Sequence, residues 1–408
     1  MIKVLHINCS DTGSTGKIVL DISKYLYTNG DQSVLCTPKI SNQEKVLKKY
    51  QTSFKYEQGI YRRFCWYYGL QYGFAPISTC KIKRALENEK PDIVHLHSIN
   101  GNMVNIYTLL NYLKNKNIPT VITNHAEFFY TGSCSYDMEC GRWKEDGCGA
   151  CPFLFKASSS KLFDRTSTAW SKLKKCFDGF ENLKIVSVSP WVDSRAKQSP
   201  IMAGKSFEVI KNGVDTDIFK IKNNDSFRKE YNIADNKKII FHVTSSFTDN
   251  PNDIKGGNYL IELAKRMRND NVVFVVAGKY NVSSNLPENI ILLGLVSDQN
   301  MLANIYSEAD LTVITSKVET FGMSVAESLC CGTPIVGFEA GGPETVTMKE
   351  YSQFVPYGDI DFLEEIITNK WLYYKEKVSN TVISENAQRK YDYIHMAKKY
   401  YNVYISLK

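Results

Sequence analysis

The sequence predicts an α/β protein made of two successive halves, each a parallel sheet covered by helices. Three observations carry this. Short β-branched runs alternate with helical stretches along the chain. A length of 408 residues exceeds what one core ordinarily serves. A polar join containing Pro200 and Gly204, Pro190–Lys205, separates the alternation into two series. Strands of the first series are expected at Lys3–Ile7, Ser33–Cys36, Ile93–Leu96, Thr120–Thr123 and Ile185–Val188, with helices such as Gly16–Tyr27 and Asn105–Lys116 between them. The second series is expected at Phe207–Ile210, Lys238–Val243, Val272–Ala277, Ile290–Leu293, Leu311–Thr315 and Pro334–Gly337. A last amphipathic helix, Ser384–Tyr404, follows no strand. The expected division is therefore residues 1–198, with a cysteine-rich insertion at 131–152, then residues 199–385, then a C-terminal helix, 386–408, packing back on the first half.

Hydrophobic residues make up 43% and charged residues 23%, which excludes a disordered chain. No apolar run approaches the roughly 20 residues that span a bilayer. The opening Met1–Ile7 reads as a strand, not as a leader peptide, so a cytoplasmic protein is expected. Eleven cysteines in a reducing compartment are not expected to form a disulfide framework. The net charge of +7 is uneven. Between Lys45 and Arg84 there are nine basic residues against one acid, Glu57, interleaved with aromatics such as Phe54, Tyr56, Phe64, Trp66, Tyr67 and Tyr68. That mixture suits an anionic membrane surface, met peripherally from its inner face. A solvated helix face with a half-buried aromatic stripe has the same composition. No nucleic-acid partner is expected.

The segment richest in chemistry is Ser316-Lys-Val-Glu319-Thr-Phe321-Gly322-Met323-Ser-Val-Ala-Glu327, followed by Cys-Cys-Gly332-Thr-Pro334. It reads as a buried strand, a turn and the start of a helix. Gly322 lets backbone approach a ligand closely. The helix N-terminus offers free N–H groups and a favourable dipole to a diphosphate. Glu319 and Glu327 can accept hydrogen bonds from sugar and ribose hydroxyls. Other segments stand in order around it: Ile210-Lys-Asn-Gly-Val-Asp-Thr-Asp-Ile-Phe219, Lys255-Gly-Gly257, Gly294-Leu-Val296-Ser-Asp298 with Tyr306 and Asp310, and Gly341-Gly-Pro-Glu344.

This ordered set is similar to the signature of family 4 retaining glycosyltransferases, and the resemblance covers nearly the whole chain. It implies the GT-B fold, two Rossmann-like domains facing each other across a cleft. The first would bind an acceptor, a glycan or a lipid-linked saccharide. The second would bind a nucleotide-diphosphate sugar, most often with UDP and alternatively with GDP. By the same resemblance Glu319, His125 and Lys255 form the catalytic set, with Glu319 and His125 toward the donor sugar and Lys255 paired with the diphosphate. Glu327 would take the ribose hydroxyls, and the backbone of Phe321, Gly322 and Met323 would touch sugar and phosphate. Val296 belongs to the nucleotide-base loop and Glu344 to the loop closing over the donor. The stretch Thr244–Asp249, where many members carry an arginine, has hydroxyls here, among them Ser246. No catalytic metal is expected, because leaving-group charge in such enzymes is met by helix dipoles and basic side chains.

In the first half, Asp11-Thr-Gly13-Ser-Thr-Gly16-Lys17 follows the first strand and opens a helix. It is a tight turn on its own, and Gly16 lines the cleft by resemblance. His95, His97 and His125 stand at strand ends, with Glu127 two residues beyond His125 where many relatives have His-Asp. Cys134, Cys140, Cys148 and Cys151 are spaced C-x5-C-x7-C-x2-C. That spacing admits a structural zinc, paired disulfides or free buried thiols. The run resembles a Cys-rich insertion in glycosyltransferases of the bacterial capsule- and exopolysaccharide-building branch. Two further functions fit the donor half: a nucleotide-sugar epimerase of similar fold, and a non-catalytic nucleotide-sugar-binding partner of another transferase. The lack of Gly-x-Gly-x-x-Gly argues against a nicotinamide dehydrogenase.

Overall fold

The computed structural model describes residues 1–408 apart from 138, 159, 161, 223–225, 270 and 284. The chain divides into two compact units, Met1–Lys211 with Met396–Lys408, and Asn212–His395.

The first unit is built on a parallel sheet of β1 (Lys3–Ile7), β2 (Gln32–Thr37), β3 (Lys48–Gln51), β4 (Ile93–Leu96), β5 (Thr120–Asn124), β6 (Leu183–Ser187) and β7 (Ser206–Val209), in the order β3-β2-β1-β4-β5-β6-β7. Its central strands are buried along their length, as a sheet covered on both faces requires. Two features depart from expectation. The strand at 206–209, expected to open the second half, instead pairs with β6, Lys184 opposite Ser206. The segment before it is not a linker. Pro190 starts the helix Pro190–Lys197 and Ser189 caps it, accepting the N–H of Val192. Ser199 likewise accepts from Ile201 and donates to the Tyr130 carbonyl. The residues that resembled a flexible join are helix caps. The second departure is β3, hidden in a lysine-rich stretch. Its charges are spoken for: Lys48 meets Glu89 at 2.6 Å, and Lys49 meets Asp11 at 3.0 Å with both side chains buried.

The second unit carries a parallel sheet of β8 (Lys238–Thr248), β9 (Val272–Asn281), β10 (Ile290–Gly294), β11 (Leu311–Ile314), β12 (Ile335–Phe338) and β13 (Ser352–Val355), ordered β10-β9-β8-β11-β12-β13. Ile240, Phe274, Val276, Val313 and Val336 of the sheet pack with Leu260, Leu263, Leu363 and Trp371 of its helices. β8 outruns its expected end. After a register shift between Val243 and Ser246 it stays paired with β9 as far as Thr248, so the hydroxyl-rich stretch is strand and not loop. The single C-terminal helix expected at 384–404 is two helices, Asn380–Tyr391 and Tyr393–Leu407. The break at Asp392 is held by Val214, whose N–H donates to the Tyr391 carbonyl and whose carbonyl accepts the N–H of Tyr393. From Met396 onward the chain belongs to the first unit. There Tyr404 Oη lies 2.6 Å from His95 Nδ1 and Tyr400 Oη 3.1 Å from Thr123 Oγ1.

Strand order reverses between β1 and β4 in one sheet and between β8 and β11 in the other. The crevice outside the carboxyl ends of strands at such a reversal is where open α/β sheets bind ligands.

At the first reversal lie His6, His95 and His97, all fully buried. Burial drives His6 down to about 3 and holds His95 and His97 well below their ordinary value. These imidazoles are neutral when folded and gain protons when unfolded below about pH 6.5. The unfolded chain then binds more protons, so stability falls as pH drops from about 6.5 toward 3, by up to about 1.4 kcal/mol per pH unit for each imidazole. Urea unfolding at pH 7, 6 and 5 should show this loss. Equal stability at the three pH values would contradict a neutral buried cluster.

Candidate functional site

The ligand end of the second unit is assembled by the loops after β8 and β11. Gly256 has φ +67°, and a Cβ there would stand 2.0 Å from the Thr315 carbonyl oxygen. The loop after β8 therefore lies directly on the end of β11. This brings Lys255 Nζ to 2.6 Å from Glu319 Oε1, an ion pair across the point of strand reversal. Glu319 is itself fixed by backbone: its N–H donates to Ala340, and its carbonyl accepts from Gly342. Gly322, at φ +76°, turns the chain into the helix Met323–Cys330. Phe321 is buried, so its backbone and not its ring is what the turn presents, while Met323 is half-buried. Glu327, on the second turn of that helix, accepts a hydrogen bond from Tyr306 Oη at 3.1 Å. Tyr306 is wholly buried, and burial together with the nearby carboxylate keeps its phenol protonated.

Three further residues from the sequence reading fall in place differently. Glu344 spends both carboxylate oxygens on backbone, accepting from Ala340 at 3.1 Å and Gly341 at 2.7 Å, and so shapes the loop. Ser246 sits just past the register shift of β8, its N–H donating to Thr244 Oγ1. Val296 lies half-buried in the turn after β10. Tyr306 stands in the sequence only as part of a motif; its grip on Glu327 depends on packing between helices and leaves no mark in the local pattern.

In the first unit Gly16 is buried in the helix Gly13–Thr28, and a Cβ on it would come within 2.6 Å of Asp11 backbone. Asp11 in turn accepts from the N–H groups of Ser41 and Asn42. His125 is linked to His97, its Nε2 3.2 Å from His97 Nδ1. His95 serves the C-terminal helix and Thr123 through both ring nitrogens. Glu127 is completely buried, pairs with Arg195 at 2.5 Å and accepts from Tyr130 Oη and the N–H of Asp137. Burial pushes its carboxyl above the usual carboxylate range against the pull of Arg195. It is a structural anchor of the stretch that follows.

That stretch is the cysteine-rich one. Cys134, Cys140, Cys148 and Cys151 line one small pocket with Trp143 and Thr131, all as free thiols. Burial, then the neighbouring sulfurs, pushes Cys148 up to about 12 and Cys134 higher. Among the described residues the trio whose ligand atoms approach within 4.8 Å of one another is His6, His95 and His97, and no three of the cysteines do so. A structural zinc is not supported by this arrangement. The staple that so polar a run needs is Arg195 instead. It joins Glu127 to Asp137 at 2.6 Å and lies over the rings of Trp143 and Trp191.

The basic and aromatic segment folds as β3 and the helices Glu57–Tyr68 and Pro76–Glu89. The first helix buries Glu57, Tyr61 and Cys65 and turns Ile60, Phe64, Tyr67 and Tyr68 outward, each about half exposed. Phe163, also exposed, joins this face, since Gly69 packs on its carbonyl. Among the described residues no helix is long and apolar enough to cross a membrane. A cavity of about 300 Å³ bordered by Tyr107, Lys172 and Lys175 contains none of the predicted site residues.

Replacing Arg195 by Met should strand the buried Glu127 and lower stability by about 3–5 kcal/mol, read by urea denaturation. A loss under about 1 kcal/mol, the range of exposed pairs, would show that Arg195 is not the staple.

Comparison with known proteins places this geometry. The profile of Glycosyltransferase Family 4 matches residues 15–218, half of the chain, and that of Glycosyl transferases group 1 matches residues 223–388. A processive diacylglycerol alpha-glucosyltransferase of Acholeplasma laidlawii is 31% identical over 151 residues, 34% of this chain and 41% of that protein. WcaC of Escherichia coli, provisionally described as a colanic acid biosynthesis glycosyl transferase, is 21% identical over 78% of this chain and 77% of its own. The first three curated relatives are matched over only 60%, 41% and 42% of their length. Among solved structures, sucrose-phosphate synthase from Thermosynechococcus elongatus superposes with a TM-score of 0.70 at 15% identity, covering 100% of this chain and 99% of the other. Anabaena HepE, solved with UDP and glucose, gives 0.63 at 15% identity over 100% of both chains. These likenesses establish the fold as GT-B, with two Rossmann-like α/β domains. By the profile that matches half its length, the chain belongs to Glycosyltransferase Family 4.

Proposed function

We propose that this protein is a retaining glycosyltransferase that moves a sugar from a nucleotide-diphosphate sugar, UDP in the first instance, onto a glycan or lipid-linked saccharide in cell-surface polysaccharide synthesis. The observation that carries the reading is the Lys255–Glu319 ion pair across the strand reversal of the second sheet. An ammonium and a carboxylate 2.6 Å apart divide naturally between a diphosphate and the hydroxyls of the sugar it carries. Lys255 and the free N–H groups at the start of the helix Met323–Cys330 then meet the leaving charge. Glu327, held by Tyr306, is assigned to ribose. Val296 and Ser246 are assigned to the nucleotide, Glu344 to shaping the donor loop, and Gly16 to a close-approaching turn beside the reacting groups. His125 is assigned to the donor sugar. The retaining outcome follows the family resemblance and requires no general base from the enzyme. HepE, solved with UDP and glucose, supports the donor class. WcaC supports a role in polysaccharide building, the capsule-type branch suggested by the cysteine-rich stretch.

The outward face of the helix Glu57–Tyr68, with Arg62, Arg63 and Lys55 beside it, is assigned to an anionic membrane surface. The diacylglycerol substrate named for the A. laidlawii relative is in keeping with a lipid-linked acceptor.

Thermal shift against UDP-, GDP-, ADP- and dTDP-sugars should show stabilisation by one nucleotide in the wild type and none in Glu327→Ala. A free enzyme indifferent to all four would overturn the donor assignment, and conversion of donor without any acceptor would favour an epimerase. Independently, Arg62→Ser with Arg63→Ser and Phe64→Ser should abolish sedimentation with phosphatidylglycerol vesicles while leaving the nucleotide shift intact. Retained sedimentation would remove the membrane assignment.

A further inference from the structure

Thr333, just past the helix Met323–Cys330, ties together the two helices that hold the Glu327 carboxylate. Toward the helix of Glu327, its N–H donates to the Ser328 carbonyl at 3.0 Å, and its carbonyl accepts from Ser328 Oγ at 2.8 Å. Toward the helix Gln299–Glu308, its hydroxyl donates to the Tyr306 carbonyl at 2.5 Å. Tyr306 Oη closes the circuit by donating to Glu327 at 3.1 Å. Thr333, Tyr306 and Ser328 are fully buried, so water does not compete for these bonds.

Two carbonyls are within reach of the single hydroxyl proton of Thr333, that of Tyr306 and, at 3.3 Å, that of Ala309. Lys375 tilts the choice. Its Nζ donates to the Ala309 carbonyl at 2.8 Å, to the Ser307 carbonyl at 3.0 Å and to Thr333 Oγ1 at 3.3 Å. An ammonium has three N–H groups and no acceptor, so these three neutral oxygens match its donors and Thr333 can only accept from it. The two carbonyls lie at the C-terminal end of the helix Gln299–Glu308, where intrahelical partners run out and a cation is favoured. A neutral amine would instead turn a lone pair toward one of the three oxygens.

We infer that Lys375 is a positioning residue for the nucleotide site, acting through Thr333 and Tyr306 to set where the Glu327 carboxylate stands. The inference rests on the assignment of Glu327 to the ribose hydroxyls. Burial pulls Lys375 down to about 8; Asp310 and Cys331 favour its charged form, and Arg228 and Lys238 oppose it. Burial pushes the Cys331 thiol up, so it does not titrate beside Lys375. The ammonium therefore predominates at pH 7 and is largely lost by about pH 9.

The test is calorimetric titration of the 408-residue chain with UDP, GDP, ADP and dTDP at pH 7, 8 and 9. Wild-type affinity for the nucleotide that binds should fall about tenfold from pH 7 to pH 9, as the competent, protonated fraction shrinks. Lys375→Met should bind about tenfold more weakly at pH 7, the effect of one hydrogen bond, and should lack that fall. In sugar transfer it should raise KM for the donor and leave kcat nearly unchanged, because ribose is held alike in ground state and transition state. Thr333→Val should weaken binding to a similar degree and the double variant no further, since both act through one chain. Wild-type affinity level from pH 7 to pH 9 overturns the inference without any variant. So does a Lys375→Met protein that keeps the wild-type pH profile, or a double variant whose losses add. A wild type that binds none of the four nucleotides at pH 7 overturns the donor assignment itself, and the inference falls with it.

Discussion

Lys255 and Glu319 come together because two backbones touch. At Gly256 a side chain would have to occupy the place of the Thr315 carbonyl oxygen, so the loop after β8 closes onto the end of β11 only where there is no Cβ. The parallel pairing of β8 with β11 sets the strand ends side by side, and this contact sets the height of the loop above them. That fit accompanies the 2.6 Å approach of Lys255 to Glu319, whose own N–H and carbonyl are separately held by Ala340 and Gly342 ahead of the turn at Gly322 that starts the next helix. Charge is positioned by steric fit and does not have to hold the loops together itself.

The two strand reversals are equipped in opposite ways. In the second unit the reversal holds a partly exposed cation and anion, groups that a charged ligand can take over. In the first it holds imidazoles sealed from water, which cannot carry charge and so are confined to giving and receiving hydrogen bonds. The buried ion pair of Glu127 with Arg195 faces the cysteine-rich stretch and is further engaged by Tyr130 and Asp137. A carboxylate two residues from His125 looked in the sequence like a candidate for the site. Complete burial and three carboxylate partners make it part of the scaffold.

The local pattern was readable where a segment's burial is uniform. Lys3–Ile7 and Ile93–Leu96 are continuous apolar runs broken by single polar residues, and they are strands over those residues. It was misleading where polar residues have structural partners. Lys48–Gln51 looks like solvated surface until Glu89 and Asp11 are brought to it from 41 and 38 residues away. Ser189, Pro190 and Ser199 look like a linker until their hydroxyls and ring are seen to cap helices. The helical period passes through Asp392 without a break, yet Val214 interrupts it with two backbone hydrogen bonds.

By itself the sequence determined the fold class, the order of the ligand-end segments and the glycines on which they turn, because strand periodicity, helix starts and left-handed turns are local properties of a chain. Only the tertiary structure decided which polar groups are used up. It showed that Glu344 and Glu127 are engaged with backbone and Arg195, that Tyr306 orients Glu327, that the four cysteines surround a pocket without converging, and that three histidines from β1, the end of β4 and the end of β5 form one chain. The physical reason is that, the short-range contact of Glu344 with Gly341 aside, these hydrogen bonds and ion pairs join residues tens of positions apart. The partners of a buried polar group are chosen by which strands lie side by side, not by which residues are near in sequence.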